Sequence, residues 1–342
     1  METSRSCVRN VHLAALILFT WSGMAWGQYG QYERIIWQKQ DADPYLNVAF
    51  STNGSMLALG REDSNTTDLL NAKNGNLIRS LTASHNRTNE AVFTLDDQYL
   101  INGNGSSGET LTLDLWRVAD GVRLLRLGAH NNGTNSVDLS FDGQYVVTSG
   151  IYSREIKLWH VPELTLLLTI PNNDPQSPSL PPRVKDSAFS PDGQLIGNGD
   201  IYGIKLRRTV DGTLVLRIPN AEIVSISFSP NGTLIAGAVE SERAVKIWRV
   251  ADGSLFRVLP IASEFQFPRI AFTPAGDLIA AVYGSSGTSG AIQFWNVNDG
   301  RTVAIYPKPN HVRTIAFSPT QGIFGYTEYG GRVTVSFAPF IR

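Results

Sequence analysis

One apolar position recurs seven times in register, as Phe50, Phe93, Leu139, Phe189, Phe228, Phe272 and Phe317, with spacings of 43, 46, 50, 39, 44 and 45 residues. Glycine-bearing turn clusters recur with it, separated by short stretches of alternating apolar residues, and helical periodicity is lacking throughout. These observations predict an all-β chain folded as a seven-bladed β-propeller of four-stranded antiparallel blades. Two separate sandwiches would not keep a single register over seven units.

The fifth unit displays each element in order. Val224 to Phe228 alternates as a first strand, Leu234 to Ala238 as a second, Val245 to Val250 as a third and Ser254 to Leu259 as a fourth. Between the first two lies Pro230-Asn231-Gly232, matched by Pro191-Asp192-Gly193 in the fourth unit. Proline presets φ at the first turn position, and glycine accepts the positive φ that follows. Asp120-Gly121, Asp211-Gly212, Asp252-Gly253 and Asp299-Gly300 repeat this chemistry at the third-to-fourth hairpin. The units run near 44–81, 89–127, 135–170, 184–218, 223–259, 268–305 and 312–338. The last stops after its third strand, so residues 32–38, which contain Trp37, are expected to supply the fourth and close the ring.

The chain has 342 residues, with 29 basic against 30 acidic and a single cysteine. Near-neutral charge argues against a nucleic-acid partner, and one cysteine excludes a disulfide framework. Residues 1–27 have the pattern of a cleaved export signal: Arg5 and Arg9, an apolar run from Leu13 to Trp21, then Ala25-Trp26-Gly27. That run falls short of the roughly 20 apolar residues a membrane-spanning helix needs. Cleavage would leave Gln28 first and remove Cys7, and the product is expected in the periplasm or outside the cell. Residues 28–342 then form one propeller with no membrane span, at 45 residues per blade.

Ala188-Phe-Ser-Pro-Asp-Gly193, Ile156-Lys-Leu-Trp159 and Val245-Lys-Ile-Trp248 together resemble the WD-repeat β-propeller family, over nearly all of the chain beyond the signal. The residue after tryptophan, aspartate in the family signature, is here Arg117, His160, Arg249 or Asn296, and the fourth unit has Arg207-Arg208 instead. The family's Gly-His pair survives only as Ala129-His130. The buried histidine-aspartate network of the family is therefore expected to be missing, with blade rigidity resting more on packing. The resemblance implies a rigid, non-catalytic platform for binding a protein partner.

Gly103-Asn-Gly-Ser-Ser-Gly108 spells a dinucleotide fingerprint, but an alternating strand follows instead of the helix N-terminus that would hold pyrophosphate. His85, His130 and His311 precede their units without ligand spacing and are expected to be structural. No catalytic, cofactor or metal residue is assigned, and a monomer is expected. The first strand of each blade lines the channel, so the position three before the repeated apolar residue should form a polar ring: Asn47, Glu90, Ser136, Asp186, Ser225, Arg269 and Thr314. Asn47, Glu90, Asp186 and Arg269 are the candidates for gripping a partner. Rim loops carrying Arg61, Tyr152, Tyr202, Glu240 to Arg243, Tyr283 and Tyr329 form the second candidate surface. The proline-rich insertion from Pro171 to Pro182 reads as a recognition arm or a tolerated insertion. The rival functional reading is a propeller enzyme or small-ligand sensor, such as a lactonase-like hydrolase, acting at the channel mouth.

Overall fold

The structure, a computed structural model, describes residues 32–82, 88–105, 110–131, 134–150, 154–173, 182–261, 266–284 and 289–339. The export signal, His85, Tyr152 and most of the proline-rich insertion lie outside the described residues. The described strands form seven four-stranded antiparallel sheets. Their first strands are Ala49–Phe50, Thr88–Phe93, Thr134–Leu139, Asp186–Phe189, Ile223–Phe228, Gln266–Phe272 and Val312–Phe317, in blades 1 to 7. Each ends on the repeated apolar residue. Each touches the first strand of the next blade, and that of blade 7 touches that of blade 1.

Seven buried apolar clusters lie one at each blade interface, such as Val147 and Ile156 of blade 3 against Phe189 and Ile196 of blade 4. Alternation produces this: each blade is apolar on both faces, so every blade needs two neighbours. The first hairpins carry the expected chemistry. Ser190 Oγ donates to Asp192 Oδ1 at 2.5 Å and accepts from the Leu195 N–H at 2.9 Å, while Gly193 takes φ +69°. Gly103 and Asn104 end one strand and Thr110–Arg117 is the next described element, a strand and not a helix.

Arg34–Gln40 pairs antiparallel with Arg332–Phe337 and completes blade 7, with Trp37 opposite Val335. The Trp37 indole donates to the Ala72 carbonyl of blade 1 at 2.7 Å. Glu33 ties the seam: the Lys308 ammonium pairs with it, and Tyr326 and Ser336 hydroxyls donate to it, each at 2.8 Å.

No histidine-aspartate hydrogen bond stands in blade 3 among the described residues, but a histidine-threonine-tryptophan contact does. The Trp159 indole donates to Thr148 Oγ1 at 2.9 Å, and His130 Nε2 lies 2.8 Å from the same oxygen. His130 Nδ1 is buried without a hydrogen-bond partner among the described residues. Burial, with the charge of Lys157 adding to it, lowers the imidazole pKa to about 3, so the ring is neutral at ordinary pH. Blades 1, 2, 4, 5 and 6 use ion pairs and polar contacts at one shared third-strand position. Asp68 meets Arg61 at 2.7 Å, Asp114 meets Arg126 at 2.8 Å and Lys205 meets Asp200 at 2.5 Å. At that position Lys246 meets Glu242 at 2.6 Å, and Gln293 accepts from the Tyr283 hydroxyl at 3.0 Å. Rigidity is therefore not left to packing alone.

Candidate functional site at the channel mouth

The first strand of a propeller blade has no fifth strand beside it, so its inward N–H groups need other acceptors. Here the preceding blade supplies them. Glu90 Oε2 accepts from the Val137 N–H at 2.8 Å, Asp138 Oδ2 from Phe189 at 2.8 Å and Asp186 Oδ2 from Ile226 at 2.9 Å. Ser136 Oγ accepts from Ser187 at 3.1 Å, Ser225 Oγ from Ile270 at 3.4 Å and Ser227 Oγ from Phe272 at 3.3 Å. A continuous seam thus runs from blade 2 to blade 6.

Inside the seam lies a cavity of about 340 Å³ to which every blade contributes, Asn47, Glu90, Asp138, Asp186, Ser225, Arg269 and Thr314 among its lining residues. Of the expected ring only Ser136 is missing; it is buried between the hydroxyls of Ser149 and Ser187 at 2.8 and 2.7 Å. Asp138 takes its place. It stands two positions further along the strand and so on the same face, where most blades have Ala or Val, and that contrast is the signal in the sequence that marks it.

The electrostatics are acidic. Arg269 approaches Asp186 at 3.8 Å. Burial, then the charge of Asp186, push Glu90 up to about 8, against the pull of Arg269 and the Val137 N–H. Burial lifts Asp138 to about 6 and also raises Asp186, the latter against the pull of Arg269. Asn47 is buried, and its Oδ1 accepts from the Gly60 N–H of its own blade at 2.6 Å.

The rim is less uniform than the sequence suggests. Arg61 is occupied, held by Asp41 at 2.9 Å and Asp68 at 2.7 Å with its guanidinium over the Tyr45 ring. Tyr283 is buried inside blade 6, within a strand that runs to Gly284, so it does not belong to the rim surface. Tyr202 is half-buried and Tyr329 exposed, the latter beneath the Arg313 guanidinium that also pairs with Glu62 at 2.6 Å. Glu240–Glu242 forms a short 3-10 turn ending on Arg243 in the left-handed region. Among the described residues no cluster of histidine, aspartate or glutamate has metal-holding geometry, and no helix is long and apolar enough to cross a membrane. No described histidine lines the cavity.

Fold and site together define a closed β-propeller whose seven inner strands frame one polar cavity. The family model described as WD domain, G-beta repeat matches residues 121–160 and 210–249, and both matches end just after the third-strand Trp159 and Trp248. With the seven four-stranded blades, these two matches are consistent with a WD-repeat β-propeller, a class that serves generally as protein-interaction scaffolds and is typically non-catalytic. No curated protein matches the chain.

Proposed function

We propose that this chain is an exported, monomeric, non-catalytic scaffold that takes a protein partner on its channel-mouth face. The observation that carries this reading is the convergence of polar or charged side chains from every blade on a single cavity. In the turns between second and third strands, the exposed Tyr329 of blade 7 and the charged Glu240 to Arg243 segment of blade 5 offer mixed aromatic and ionic contacts. The rival reading, a small-ligand sensor or hydrolase, draws support from three carboxylates sharing that cavity. Against it, each of the three already accepts a backbone N–H of the next blade.

Crosslinked pull-downs from the exporting compartment test the proposal, comparing wild type with Arg269→Glu, Tyr329→Ala and, on the opposite end of the ring, Val210→Asn. The partner should be lost with the first two and retained with the third. Equal capture by all four proteins, or a stoichiometric metal in the purified protein, would overturn the reading. Charge reversal at Asp186 is unsuitable because it removes the acceptor of Ile226.

A further inference from the structure

We propose that the inner seam joining blades 2 to 5 is proton-controlled: one proton held on Glu90 tightens the ring, and its release loosens it. This regulation is independent of the partner reading.

The seam places Glu90, Asp138 and Asp186 on three successive inner strands facing one cavity of about 340 Å³. Among the described residues one cation faces them, Arg269 on the inner strand of blade 6, and it lies against Asp186 at 3.8 Å. The inner strands of blades 1, 5 and 7 contribute Asn47, Ser225 and Thr314, which do not titrate. The nearby cations of blades 1 and 7 are engaged elsewhere, Arg61 with Asp41 and Asp68, and Arg313 with Glu62. Fully ionised, the cavity holds three negative charges against one positive.

Geometry selects the carboxylate that takes the proton. Asp138 accepts backbone N–H groups on both oxygens, from Leu139 at 3.0 Å and Phe189 at 2.8 Å. Asp186 does the same with Ser187 and Ile226, both at 2.9 Å. Glu90 accepts only through Oε2, from Val137, leaving Oε1 without a hydrogen bond among the described residues. A proton on Oε1 removes one charge from the cavity while Oε2 still accepts as a carbonyl, so the bond to blade 3 survives.

The pH window follows from the raised affinity of Glu90, displaced from 4.5 to about 8. Between those values the folded channel keeps a proton that the unfolded chain has lost. The contribution is complete below the ordinary carboxylate range and disappears as pH rises through about 8.

The experiment is thermal unfolding of the purified protein from about pH 6 to about pH 9, for wild type and the isosteric Glu90→Gln. The wild-type midpoint should fall by several degrees across this range. The variant, which keeps an amide oxygen for Val137, should fall much less than wild type, the raised Asp138 and Asp186 accounting for what remains, and should exceed it at the alkaline end. Parallel midpoint curves, or a wild-type midpoint that rises with pH, would overturn the proposal. Arg269→Gln provides a second check, since removing the facing cation should move the fall to higher pH; an unmoved curve counts equally against it.

Discussion

Replacing Thr148 by valine isolates the surviving network of blade 3. The side chain is fully buried, and valine keeps its branched shape while exchanging the hydroxyl for a methyl group. Two ring nitrogens then lose their partner, the Trp159 indole now at 2.9 Å and His130 Nε2 at 2.8 Å. A buried polar group left unsatisfied costs about 1–3 kcal/mol, so the pair should cost about 2–4 kcal/mol once some relaxation is allowed. For a chain of this size each kcal/mol moves the midpoint by roughly 2 °C, which predicts a drop of about 4–8 °C. Urea denaturation supplies the free energy directly, and a double-mutant cycle with Trp159→Phe separates the network from packing. If the hydroxyl couples the rings, the second substitution costs less in the Thr148→Val background by more than about 0.5 kcal/mol. A single variant within about 0.5 kcal/mol of wild type, or strict additivity, would refute the reasoning.

Blade 6 offers the converse. Ala281 occupies the position equivalent to Thr148, and the buried Trp295 indole has no partner. Ala281→Ser should therefore gain about 0.5–1.5 kcal/mol in urea denaturation, unless crowding by the extra oxygen offsets it, in which case a loss would be measured and the equivalence abandoned. At the closure, Lys308→Met leaves the largely buried Glu33 without its cation while Tyr326 and Ser336 still donate to it. A loss of about 3–5 kcal/mol is expected, read as an earlier urea transition with faster proteolysis near residues 34–40; an unchanged midpoint would show that strand pairing alone holds the ring.

The fold could be read from the chain because propeller units carry their turn chemistry and their alternation locally. Phe189 ends an inner strand and Pro191-Asp192-Gly193 turns it, and both are visible within ten residues. Closure was legible by subtraction, since blade 7 lacks a strand and the segment around Trp37 is spare. The site was legible only in part. Glu90, Asp186 and Arg269 do meet, because one register position repeats around the ring. Their engagement by the backbone of the next blade could not be read, because the acceptors and donors lie 40 to 51 residues apart. Arg61 looks like a free rim charge until Asp41 and Asp68 are brought to it by different loops. Tyr283 was placed in a loop because the strand that buries it runs to Gly284, further than the apolar run alone implies.

These contacts also explain how a ring of WD-like units holds together without an aspartate after tryptophan. The signature stabilises a blade from within, whereas a closed ring can also be held between blades. Here the inner seam of carboxylates and serines links blades 2 to 6. An outer set does the same at the periphery. Arg79 of blade 1 caps the carbonyls of Ala119 and Asp120 in the outer turn of blade 2, and Arg257 of blade 5 caps those of Asn298 and Asp299 in blade 6. Gly121 makes this approach possible, since a Cβ there would lie 2.5 Å from Arg79 Cδ. The Asp-Gly outer turns therefore serve the neighbouring blade as well as their own hairpin. Drift of the residue after tryptophan removes one internal contact while these interblade contacts remain, so a degenerate signature remains compatible with a closed ring.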